Sequence, residues 1–148
     1  MTTSARPTTY ETDFYAWTQE QADLLRQGQI EGLDVENLAE EIESLGKRDF
    51  RSFVSAIRLL TQHLLKWQYQ AEKRSKSWRA TLDEQRFQIT LLLKDSPSFK
   101  SKTDEAVMVG YRQGRRDAAR KSDLPLHRFP DTCPYTWEQL TDEDWVPD

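Results

Sequence analysis

Cysteine occurs once, at Cys133, so no intrachain disulfide framework can brace this chain. A structural zinc site is excluded on related grounds. Apart from Cys133 the soft ligands are His63 and His127, and a closed site needs four ligands with short, paired spacings. The Glu-x-x-His pairs that hold two metals inside helical bundles are also missing. No metal and no cofactor are therefore expected. Glycine is scarce, five in 148 residues, and no glycine-rich phosphate loop is formed. Valine and isoleucine are sparse as well, which disfavours strands and leaves an all-α fold. No apolar run reaches membrane-spanning length, and the opening MTTSARPTTYETD lacks the basic and apolar regions of a secretory signal. The expectation is a cytoplasmic protein with no membrane role.

Aromatic residues are plentiful, 11% of the chain with five tryptophans. That argues for a firm core or an aromatic binding surface, not for disorder. The longest apolar pattern is FRSFVSAIRLLTQHLLKWQYQ, residues 50–70. Phe50, Phe53, Ile57, Leu60, Leu64 and Trp67 recur at intervals of three and four, and Val54, Ala56 and Leu65 widen the face. An apolar arc over half the circumference marks a central helix, with other segments packed around it.

An antiparallel bundle of four to five helices is predicted, one domain over residues 1–148. Residues 1–11, with Pro7, read as a loose arm. DFYAWTQEQADLLRQ forms the first helix, capped by Thr12 or Asp13, with Phe14, Trp17, Gln21, Leu24 and Leu25 inward and Gly28 at its end. Asp34 caps the second, whose core stripe is Val35, Leu38, Ile42 and Leu45. That register calls for an apolar residue at 49, where Asp49 stands, and the pattern resumes at Phe50. A kink or break is expected near 46–49, beside Gly46. AEKRSKS reads as a loop. Ser75 or Ser77 then caps a helix with Trp78, Leu82, Ile89, Leu92 and Leu93 inward, and Ser96-Pro97 opens the next. Its last long run, to about Lys121, carries Gly110, Gly114 and Ala118, a spacing that permits a close helix crossing. Pro125, Pro130, Pro134 and Pro147 bar a long helix from 122–148. Leu126, Phe129, Tyr135, Trp137, Leu140 and Trp145 should strap that irregular, Pro- and aromatic-rich segment onto the bundle.

The phrases DFYAWTQEQADLLR, ENLAEEIESLGKRD, HLLKWQYQ, SWRATLDEQR, LLLKDSPSFK and FPDTCPYTWEQLTDEDWVP occur here in order. Together they resemble the bacterial family known as domain of unknown function twenty-nine, over roughly residues 10–147. The resemblance implies a small all-helical protein with no established activity. It supplies no catalytic residues.

Charge is divided unevenly: −8 over residues 1–46, +6 over 47–86 and −2 over 87–148. The parts can neutralise one another, or the basic part can face an anionic partner. Glu41 lies about 60° from the edge of the second helix's stripe and so needs a partner if half-buried. His63 and Lys66 on the central helix, with Arg79 and Arg86 on the next, are the candidates. This charged cluster is an inter-helix ion-pair network or, on the sharper reading, an acid–base or anion site. His63 is placed where a general base would stand, yet no Ser or Cys nucleophile lies at a recognisable spacing. KWQYQAEKRSKSWR, residues 66–79, interleaves Lys66, Lys73, Arg74, Lys76 and Arg79 with Trp67, Tyr69 and Trp78. Cations beside aromatic faces are how single-stranded nucleic acid is bound. The leading expectation is an interaction or accessory protein, meeting a protein partner or a second copy of itself. Nucleic-acid binding through 66–79 and Glu41/His63 acid–base chemistry are the alternatives.

Overall fold

Asp13 opens the first helix, α1 (Phe14–Arg26), by accepting the Ala16 N–H at 3.1 Å on its side chain. Gly28, at φ 71°, closes it in the left-handed region where glycine carries no penalty. The computed structural model describes residues 9–148, so most of the expected arm at 1–11 lies outside the described residues. Its end is built in: the Tyr10 ring packs edge-on against Phe14 and Trp17. A 3₁₀ turn, Ile30–Gly32, leads to α2 (Val35–Tyr69). Asp34 stands just before α2, and its carbonyl accepts the Leu38 N–H at 2.9 Å.

Of the kink or break expected near 46–49, the break does not occur: α2 runs unbroken through Gly46 and Asp49. The slip in apolar register marks a different boundary. Contacts gather the chain into two compact units, one ending at Lys47 and one running from Arg48 to Asp148. The residues before the slip and after it belong to separate units. A helix can change the face it buries without breaking, since its hydrogen bonds are internal.

The second unit is an all-α bundle. It holds the rest of α2, then α3 (Lys76–Asp95), α4 (Thr103–Ser122) and the short α5 (Trp137–Thr141), with 3₁₀ turns at Ala71–Lys73, Pro97–Lys102 and Leu126–Arg128. Ser75 caps α3 through its hydroxyl, and Thr136 with Gln139 forms a reciprocal capping box on α5. Phe53, Ile57, Leu60 and Leu64 of α2 are fully buried, as the periodicity predicts, with Leu82 and Ile89 of α3. Gly110 and Gly114 set the crossing of α4 on α2. A Cβ at Gly114 would lie 2.7 Å from the Arg58 carbonyl, and one at Gly110 would lie 2.9 Å from Ile57 Cγ2. Beside this crossing, Asp117 takes a two-point salt bridge from Arg58 at 2.6 and 3.1 Å.

The C-terminal strap is docked, as its apolar anchors require. Phe129, Tyr135 and Leu140 are buried, although Leu126 stays exposed. Its irregular backbone needs donors from elsewhere. The Tyr111 hydroxyl donates to the Pro130 carbonyl at 2.6 Å, and Arg115 donates to the Phe129 carbonyl at 3.0 Å.

Candidate functional site

The first unit has little core of its own. Among its described residues Trp17 and Gln21 are the buried ones. Polar clips hold it instead. Asp34 accepts from the Trp17 indole at 3.0 Å and from the Asn37 amide at 2.8 Å, while its own N–H donates to Gln21 at 2.8 Å. The Asn37 bond is the largest influence holding the Asp34 carboxyl below its ordinary range. The Tyr10 hydroxyl donates to Glu41, and this pushes the phenol up to about 12.

The stripe expected to be core on α2 is not core. Val35, Ile42 and Leu45 are 64%, 66% and 56% exposed, and Leu38 is only half-buried. Phe14 and Leu25 of α1, expected to face inward, are also about half exposed, at 48% and 51%. The reason is geometric. Two helices joined by a turn cover only the faces that meet, and a third element is needed to bury the remainder. The spacing identified an apolar face correctly; no other element of this unit covers it.

The charged residues singled out from the sequence have separate assignments. Glu41 belongs to the first unit and is held by Tyr10. The other four belong to the second. His63 Nδ1 lies 2.9 Å from the Leu59 carbonyl, so that nitrogen carries the proton and Nε2 is the free acceptor. Burial, ahead of the Lys66 and Lys121 charges, pulls the His63 pKa down. Lys66 is buried with its ammonium 4.5 Å above the Trp78 ring, a cation–π contact. Burial, then Lys121, lowers its pKa too.

Arg79 and Arg86 serve the strap. Arg86, 2% exposed, donates to the Leu140 carbonyl at 2.9 Å and the Gln139 carbonyl at 3.0 Å, and its third nitrogen has no partner. Arg79 donates to the Glu143 carbonyl at 2.7 Å and lies 3.6 Å from Asp83. Both read in the sequence as cluster members because a guanidinium beside an apolar stripe looks the same whether it meets a carboxylate or backbone carbonyls.

At the rim, Arg74 stacks 5.0 Å from the centre of the Trp67 ring and donates to the Trp67 carbonyl at 2.8 Å. Trp67 and Trp78 are each half-buried, with a cation of this same chain over one face. Lys73 and Lys76 are exposed.

A cleft of about 440 Å³ between α4 and the strap escaped the sequence reading, because its walls lie far apart in the chain. Val107, Met108, Tyr111, Tyr135 and Trp137 give it a largely apolar lining, and Cys133 opens onto it. Burial pushes the Cys133 thiol up, which makes it a poor nucleophile near neutrality. Among the described residues no group of three or more His, Cys, Asp or Glu is placed to hold a metal ion, and no helix is long and apolar enough to cross a membrane.

A model of the family described as Domain of unknown function DUF29 matches residues 9–146. No curated protein and no solved structure matches this chain.

Proposed function

We propose, for a chain that belongs to the DUF29 family across residues 9–146, a non-catalytic role as an interaction protein that docks a partner on the apolar face of α2. The observation that carries this reading is the exposure of Val35, Ile42 and Leu45 at helical spacing in a unit with almost no core. Fully covering one such side chain is worth about 1.5–3 kcal/mol, which a docked element supplies and the two-helix unit does not. The family match runs through both units, which supports reading the chain as one working domain.

Ile42→Ser tests this. In dilute solution the variant should keep its helicity and unfold in urea within about 0.5 kcal/mol of the parent, as surface substitutions do. A loss of about 2–5 kcal/mol would make Ile42 a core residue and end the docking reading.

Nucleic-acid binding is the second reading, favoured by the exposure of Lys73 and Lys76. Its signature is oligonucleotide binding that weakens steeply with salt. The faces of Trp67 and Trp78 that hold Arg74 and Lys66 offer no room for a stacked base. Acid–base chemistry through Glu41 and His63 draws the least support, since each is held by a different neighbour.

A further inference from the structure

We infer that the element docking on this face is a basic amphipathic helix of another protein, an inference that rests on the docking reading above. The stripe from Val35 to Leu45 is about 15 Å long, three turns of a facing helix. One edge is already occupied: Asp34 and Glu41 there are bonded to Trp17, Asn37 and Tyr10. Along the other edge stand Ala39 and Gly46, seven residues apart and both exposed. Nothing lies within 4 Å of where a Cβ at Gly46 would be, so a second helix backbone can approach closely on that side.

The charge around the face selects the occupant. Glu36 and Glu43 lie beyond that open edge, are exposed, and form no ion pair among the described residues, whereas Glu40 stands on the opposite face of the helix. Over residues 1–46 the chain carries −8. A second copy presenting the same face would bring two such units together, and like charges at close quarters oppose that pairing. A helix with Leu-type residues at three–four spacing and lysines on its flanks satisfies both the stripe and the glutamates.

The test is fluorescence anisotropy of labelled synthetic peptides on the full chain. A Leu/Lys peptide with amphipathic spacing is compared with a scrambled peptide of the same composition and with a Leu/Glu amphipathic peptide. The Leu/Lys amphipathic peptide should bind about tenfold or more tighter than the other two. Ile42→Ser should weaken it by a similar factor, whereas Phe87→Ser, at an exposed apolar position on α3, should not. Replacing Glu36 and Glu43 by Gln should weaken binding and flatten its salt dependence.

Equal binding of the scrambled peptide, or indifference to Ile42→Ser, would reduce the contact to bare charge and overturn the inference. Equal binding of the Leu/Glu peptide would overturn the basic assignment while the docking face stood. Sedimentation showing a dimer that Ile42→Ser dissociates would make the occupant a second copy, with the same consequence. Unfolding of the Ile42→Ser chain in dilute solution would bring down both readings.

Discussion

The two units use similar helical sequence patterns to opposite ends. In the second, Phe53, Ile57, Leu60 and Leu64 follow a three–four spacing and vanish from the surface. In the first, Val35, Leu38, Ile42 and Leu45 follow the same spacing on the same helix, and most of that face remains open. Periodicity reports only that a face is apolar. Whether the face is covered depends on how many other elements the unit has to lay against it. The second unit has α3, α4 and the strap; the first has α1 and a turn. Where apolar cover is short, hydrogen bonds take its place, as Trp17, Gln21, Asn37 and Tyr10 show around Asp34 and Glu41.

This contrast is broken most directly by equal truncations in both units. Leu60→Ala should cost about 2–5 kcal/mol in urea unfolding, from lost burial and the cavity left behind. Leu45→Ala, measured in dilute solution, should stay within about 0.5 kcal/mol of the parent. Equal losses would mean that the stripe is core after all.

The strap comes next. Arg86→Met removes the donors to Leu140 and Gln139, and each carbonyl left dry should cost about 1–3 kcal/mol. Hydrogen exchange at the α5 amides should accelerate, as should proteolysis between residues 129 and 148. Unchanged exchange there would show that the apolar anchors alone hold the strap.

Glycine sharpens the comparison further. Gly114→Ala forces a methyl against the Arg58 carbonyl and should destabilise by about 1–3 kcal/mol. Gly46→Ala enters open space on a helix and should stabilise by about 0.5–1 kcal/mol. Thermal or urea midpoints moving in the same direction for both would contradict the two environments.

The smallest effect concerns pH. Because burial lowers the His63 pKa below its ordinary value, the unfolded chain takes up the proton first as pH falls. The stability tied to neutral His63 is therefore present above about pH 6.5 and is lost as pH drops below that value. His63→Gln should flatten the unfolding free energy between neutral and mildly acidic pH. An unchanged slope would assign that pH dependence to other groups.

Much of the second unit was legible in the sequence because its signals are local or densely periodic. Ser75, Thr136 and the Ser96-Pro97 opening act through residues a turn away, so their roles follow from neighbours along the chain. Gly110 and Gly114 disclosed a close crossing, though not that Ile57, Arg58 and Thr61 would meet them. The charged cluster was less legible. Arg79 and Arg86 were offered as partners for Glu41, but what they bond are strap carbonyls more than fifty residues on. A backbone carbonyl is present at every residue and leaves no mark in the sequence. The register slip at Asp49 was visible too; of the kink or break expected there, the break is absent, and the chain passes from one unit to the next beside it.

Sequence alone thus determined the all-α class, the capped helix starts at Asp13, Ser75 and Thr136 and the faces that are apolar, because capping, turn chemistry and periodicity act within a few residues. Tertiary structure alone decided which apolar face is buried, which charges hold the strap, and that Glu41 answers to Tyr10. Those outcomes depend on which distant segment arrives at each face, and packing between remote elements settles that where local propensity cannot.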